Sequence, residues 1–256
     1  MKRPSRVSFA ATSALGAALV LPPGAGLHAA ELKVLAGGSM TASLNELGPQ
    51  FERASGHKLV IHFDSTPNLI KQITSGAPYD LGVVPVDVFK DDAAKARFVS
   101  APPLDIARVG YGVAVRAGAP KPDVSTSAAL KKTLLDAQSV AYIPASAAGA
   151  YVSSVFERLG IGEAMKAKTR PQTATTQIPQ AVAKGDAELG VFLVNVLMAP
   201  GVELAGPFPA ELQQELVFTA AVAVDSKEAD AARAFINFLT TPAATAVFKA
   251  TGMSPC

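Results

Sequence analysis

The sequence predicts an α/β protein of two lobes, each a mostly parallel sheet flanked by helices, with a ligand cleft between the lobes. Three observations carry this prediction. Short apolar runs alternate with amphipathic stretches from Glu31 onward. The alternation is interrupted by an extended apolar stretch at 106–115 and then restarts. Several apolar runs also end in small, hydroxyl-bearing residues that open a helix. The length of 256 residues, 49% of them hydrophobic, suits one large or two small cores.

Taken in order, the first segment reads as an export signal. Lys2, Arg3 and Arg6 precede an apolar run over 9–21, which is too short to span a bilayer of about 30 Å as a helix. Ala29 and Ala30 offer small residues for cleavage near Ala30, so residues 1–30 are expected to be removed on export to a periplasm. Residues 32–36 then read as a buried strand. Met40, Leu44, Leu47 and Phe51 recur at helical spacing, and 59–63 reads as the next strand. Leu69, Ile70 and Ile73 form a second helical face ended by Gly76, and 81–84 makes a third strand. This βαβαβ order is the signature of parallel strands covered by helices.

The apolar stretch 106–115 is expected to cross to a second lobe. There the alternation resumes with a helix over 129–135, a strand over 140–143 and a helix over 151–159. A helix over 177–184, closed by Gly185, and a strand over 189–194 follow. The run 216–224 suits a return crossing, and two helices end the chain, the last with Thr241 as N-cap and Pro242 in its first turn. The expected organisation is therefore 31–108 and 219–256 in one lobe and 109–218 in the other, with hinge strands around 107–112 and 218–221.

Composition excludes several classes. Lys and Arg number 23 against 21 Asp and Glu; without Lys2, Arg3 and Arg6 the 20 against 21 leave a net charge of −1, so no nucleic-acid partner is expected. The 17% charged content argues against disorder. A single cysteine, Cys256, rules out an intramolecular disulfide. His57 and His62 have no Cys or acidic residue at metal-ligand spacing, and the catalytic motifs of P-loop, nucleophile-elbow and zinc enzymes are absent. Ser55-Gly56-His57-Lys58 matches S-x-x-K in a loop rather than at a helix start. The chain is thus expected to bind rather than catalyse, with no cofactor and no metal site.

Candidate binding residues lie where strands meet helices: Gly37-Gly38-Ser39-Met40-Thr41, Asp64-Ser65-Thr66-Pro67-Asn68, and Ala145-Ser146-Ala147-Ala148-Gly149. The first N–H groups of a helix lack intrahelical partners and sit at the positive end of its dipole, so such turns accommodate anions, or serve as ordinary caps. None of them carries Lys, Arg or His. Neutral donors suit a fully ionised oxyanion. The Asp64 carboxylate would repel such a ligand unless it points away or the ligand carries a donor.

At these residues the chain resembles the periplasmic molybdate-binding proteins of ABC importers, within the type II solute-binding fold. The resemblance rests on Ser39-Met40-Thr41 with Leu44; on Phe63-Asp64-Ser65-Thr66; and on Gln72-Ile73 followed by Gly76-Ala77-Pro78-Tyr79-Asp80. Ala148-Gly149-Ala150-Tyr151, Leu189-Gly190-Val191 and the closing helices with Phe235, Pro242 and Gly252 extend it. It implies a small oxyanion, molybdate or tungstate, held by Ser39, Ser65, Thr66 and Ala148 beside Met40, with a fourth contact near Thr175. Leu193 stands where the family has a fifth contact, a tyrosine hydroxyl. It further implies hinge closure, a monomer, and delivery to an ABC permease. The alternative is an organic solute on the same fold, with Leu193 as an apolar wall and Asp64 accepting a donor. An exported enzyme is the third reading.

Overall fold

The computed structural model describes residues 29–99 and 103–256. Of the expected export segment, all but Ala29 and Ala30 lies outside the described residues. The chain runs β1 (Glu31–Gly37), α1 (Thr41–Ser55), β2 (Lys58–Asp64), α2 (Thr66–Thr74), β3 (Leu81–Pro85), α3 (Asp92–Lys95), β4 (Leu104–Val109) and β5 (Tyr111–Arg116). It continues through α4 (Ser127–Asp136), β6 (Val140–Tyr142), α5 (Ala147–Arg158), α6 (Gly162–Lys168), β7 (Thr169–Pro171), α7 (Gln177–Lys184), β8 (Leu189–Leu193) and α8 (Val194–Leu197). The last elements are β9 (Val202–Pro207), β10 (Leu216–Val222), α9 (Ala229–Phe238), α10 (Pro242–Ala250) and β11 (Ser254–Pro255).

Two sheets result, ordered β11-β4-β10-β3-β1-β2 and β7-β6-β8-β5-β9. In the first, β1 pairs in parallel with β2 and β3, as helix-connected strands must. In the second, β6 pairs in parallel with β7 and β8. The sheets are nevertheless mixed rather than mostly parallel. β10 runs antiparallel to β3 and β4, and β5 antiparallel to β8 and β9. The reason is connectivity: these are the strands that enter and leave each lobe, and no crossover helix fixes their direction. The central strands β3 and β8 are buried at all five residues, which explains their near-continuous apolar sequence. Gly56 and Gly185 close α1 and α7 with φ of 77° and 86°, the left-handed conformation that favours glycine.

The first crossing is short, Gly110 alone separating β4 in one sheet from β5 in the other. The return crossing lies earlier than expected. Residues 218–221 sit inside β10, paired in the first sheet with β3 and β4, so the chain crosses back through 208–215. The apolar run at 216–222 is buried along nearly all its length and serves as a complete core strand, leaving the preceding Pro-containing segment to cross. The two crossings are tied by Gln213, whose Oε1 accepts the Tyr111 N–H at 2.7 Å while its Nε2 donates to the Tyr111 carbonyl at 2.9 Å. Fully buried Phe192, Phe218, Phe235 and Phe248 anchor the cores. Each contributes about 1.5–3 kcal/mol of hydrophobic stabilisation. Cys256 is a free, exposed thiol. Among the described residues no helix is long and apolar enough to cross a membrane, and no cluster of metal-ligating side chains forms.

Candidate functional site

Parallel strands deliver their C-terminal ends to one edge of a sheet. Here the edges of the two sheets face each other, and β1, β2 and β6 release their chains into a shared cavity of about 290 Å³. From the first lobe it is bordered by the 3-10 turn Gly38–Met40 through Gly38 and Ser39, and by Asp64, Ser65 and Thr66 at the start of α2. Ser146 and Ala148 at the start of α5, and the loop 173–176 before α7, close it from the second. Phe63, Ile143, Phe192 and Phe218 give it apolar walls.

Backbone approach is tight at two glycines. A Cβ on Gly37 would stand 2.9 Å from the Phe218 ring and 3.1 Å from Pro85, so the aromatic wall closes on β1 only because the side chain is missing. A Cβ on Gly149 would lie 1.7 Å from the Ile143 carbonyl oxygen, so only glycine lets α5 start this close to the end of β6.

Donors converge without any basic side chain among the lining residues. Ser65 takes the extended conformation of an N-cap, yet its hydroxyl does not cap α2 and is left free for a ligand. Thr66, in the first turn beside Pro67, is 8% exposed and borders the cavity. In the second lobe, Ser146 does cap α5: its Oγ accepts the Gly149 N–H at 3.0 Å and donates to the Ile143 carbonyl at 2.9 Å. The N–H groups at the starts of both helices lack intrahelical acceptors, and both helix dipoles place their positive ends at the cavity. The Thr175 hydroxyl reaches across the cleft to donate to the Gly38 carbonyl at 3.1 Å.

Asp64 borders the cavity, but its carboxylate is occupied by its own lobe. Oδ1 accepts the Ser65 N–H at 2.7 Å and the Asn68 amide at 2.8 Å; Oδ2 accepts the Gln72 amide at 2.9 Å and lies 3.5 Å from His62 Nε2. Burial pushes its pKa up, but the donors Asn68, the Ser65 N–H and His62 outweigh it and hold the carboxyl below the usual range. Three hydrogen bonds from Ser65, Asn68 and Gln72 thus tie the carboxylate to the start of α2.

Of the residues expected at the ligand, Ser39, Ser65, Thr66, Ala148 and Thr175 border one cavity. Met40 and Leu193 do not. Both are fully buried core side chains; alternation along β8 gives the wall to Phe192 and turns Leu193 away from it. The apolar wall expected of Leu193 is therefore supplied one residue earlier. Phe218, expected in a hinge strand, and the Thr173, Ala174 and Thr176 positions were not read as site residues in the sequence, because an aromatic in a core strand and a polar loop carry no local signal of a site. The S-x-x-K serine is structural: Ser55 donates to the Phe51 carbonyl at the end of α1, while Lys58 pairs with Glu52.

The family model of the bacterial extracellular solute-binding proteins matches residues 32–254. An aconitate isomerase from Pseudomonas sp is 32% identical over 253 residues, covering 95% of this chain and 96% of that protein. The molybdate-binding protein ModA of Azotobacter vinelandii is 31% identical over 242 residues, covering 91% and 96%. Among solved structures, the periplasmic molybdate-binding protein of Azotobacter vinelandii superposes with a TM-score of 0.70 at 22% identity, covering 87% of this chain and 98% of that one. The tungstate-binding protein TupA of Desulfovibrio alaskensis superposes at 0.63 and 17% identity, covering 89% and 99%.

Proposed function

The chain belongs to the bacterial extracellular solute-binding proteins, and from that premise we propose that it captures a small anion in the periplasm and delivers it to an ABC permease. One observation carries the ligand class: hydroxyls and helix N-termini converge on a cavity of about 290 Å³ that, among the described residues, has no lysine, arginine or histidine in its lining. Such a site matches oxygens that accept hydrogen bonds and donate none, because its free polar groups are hydroxyls and backbone N–H groups, and its one carboxylate, Asp64, is engaged by Ser65, Asn68 and Gln72. Closing two lobes around the anion removes water and strengthens each of those bonds.

Two kinds of anion meet this description. A tetrahedral oxyanion, molybdate or tungstate, is the ligand that the ModA relatives support. A carboxylate-bearing organic acid is favoured by the wall at Phe63, a partly exposed ring that offers a contact a bare oxyanion does not use. The 32% identical relative carries the name of an organic acid, aconitate, in keeping with this reading. Binding without turnover is the further proposal. Among the described residues that line the cavity, the one ionisable side chain is Asp64, whose carboxylate is engaged by Ser65, Asn68 and Gln72.

The experiment is thermal unfolding of the purified protein with millimolar molybdate, tungstate, sulfate, phosphate and a panel of di- and tricarboxylic acids including aconitate, followed by NMR of any acid that binds. A ligand at 1,000 times its Kd adds about 4.1 kcal/mol, which raises Tm by roughly 8–16 °C. The account expects one anion class to shift Tm and to be recovered unchanged. A neutral solute as sole ligand would contradict the anion proposal, and conversion of a bound acid would contradict the proposal of binding without turnover.

A further inference from the structure

The turn that presents Ser39 to the cavity is held from its other side by the opposite lobe. Asn195, the second residue of α8, donates from Nδ2 to the Ser39 carbonyl at 2.7 Å, while Thr175 donates to the Gly38 carbonyl at 3.1 Å. Both donors belong to the second lobe and both acceptors to the first. Gly38, Ser39, Thr41, Thr175 and Thr176 border the anion cavity on one side and a second cavity of about 480 Å³ on the other, so the turn is a partition between the two. Asn195 borders only the second cavity.

Asn195 is unusual in two further respects. It is 6% exposed, and its Oδ1 is buried with no hydrogen-bond partner among the described residues. Sequestering an amide oxygen in this way opposes closure. It is also wedged against the C-terminal turn of the first lobe: Gly252 has φ of 81°, and a Cβ there would stand 3.3 Å from the Asn195 Cα. The amide thus forms its bond to Ser39 only when the lobes are together, at the cost of an acceptor that water would satisfy when they are apart.

We propose that Asn195 is a positioning residue: it latches the closed lobes through the Ser39 carbonyl and so fixes the turn whose hydroxyl and N–H groups face the ligand. The latch touches no ligand atom. It makes closure marginal in the free protein and adds the same increment to every solute that requires the closed form. This goes beyond the ligand reading and stands whether the solute is an oxyanion or a carboxylate.

The test uses the ligand-free protein. Asn195→Asp keeps the volume but removes the donor facing the Ser39 carbonyl, and Asn195→Ala removes the amide altogether. Backbone hydrogen exchange across 38–43 and 194–198, together with small-angle scattering, reads closure directly, and exchange across β1 to β3 verifies that the lobe stays folded. We expect both variants to raise exchange in those two segments by about 3- to 10-fold, to enlarge the radius of gyration, and to leave β1 to β3 protected. Unchanged exchange and radius in both variants would overturn the latch. So would exchange rising equally throughout the first lobe, since that would make Asn195 a general stabiliser. A variant that fails to bind any anion, yet keeps wild-type exchange in 38–43, would also contradict it.

Discussion

Ser39 and Thr66 carry the anion reading at the scale of single residues. A hydrogen bond to a charged group is worth about 1.5–3 kcal/mol. Ser39→Ala and Thr66→Val should therefore each weaken binding by about tenfold or more while leaving Tm of the free protein near wild type, a split that calorimetry and thermal unfolding together will read. Asp64 predicts a pH effect. Its folded pKa is depressed, so its contribution to stability is complete above its ordinary value near 3.8 and is lost as pH falls through the lower folded value. Asp64→Asn should flatten that acid limb in a Tm-against-pH profile, whereas an unchanged limb would show that other carboxylates dominate it. Gly149→Ala forces a Cβ against the Ile143 carbonyl. We expect a loss of about 3 kcal/mol, read as a Tm lower by roughly 6–12 °C. The hydroxyls at strand ends were legible in the sequence because cap chemistry is local. Phe192 was not, since which of two neighbouring apolar residues faces the cavity depends on strand register. Asp64 was legible as an anomaly, and only the contacts to Asn68 and Gln72 explain it.

Among the elements, the two crossing segments join the sheets. Gln213 pairs both backbone groups of Tyr111, a residue 1% exposed, and so joins the two crossings between the sheets. Gln213→Ala leaves a buried N–H and carbonyl without these partners. It should cost about 2 kcal/mol, visible as a lower denaturation midpoint at unchanged m-value; Gln213→Glu, which keeps the acceptor, should cost less. The βα alternation was readable because helical and strand periodicities differ, and α7 was placed at its observed bounds from Gln177 and Gly185 alone. The mixed character of the sheets was not readable, since periodicity does not encode which strand lies beside which. Nor was β9, whose Val202–Pro207 segment has only one buried residue and no alternation to announce it. The same logic moved the return crossing: an apolar run reports burial, and 216–222 is buried as a core strand rather than as a hinge.

For the whole molecule, two mixed sheets place their strand ends around one cavity whose donors are neutral and whose ceiling and floor come from different lobes. On the proposed reading closure is the binding event, since Ser39 and Thr66 lie in one lobe and Ala148 and Thr175 in the other. The family of bacterial extracellular solute-binding proteins fixes the architecture; the lining residues decide the solute. The most direct test is titration calorimetry of the protein with the same panel of oxyanions and carboxylic acids, repeated with Ser39→Ala and Thr66→Val. We expect one-to-one binding of one anion class, weakened about tenfold or more by each substitution. Tight binding that neither substitution alters would contradict it, because the anion would then be held somewhere other than between the lobes.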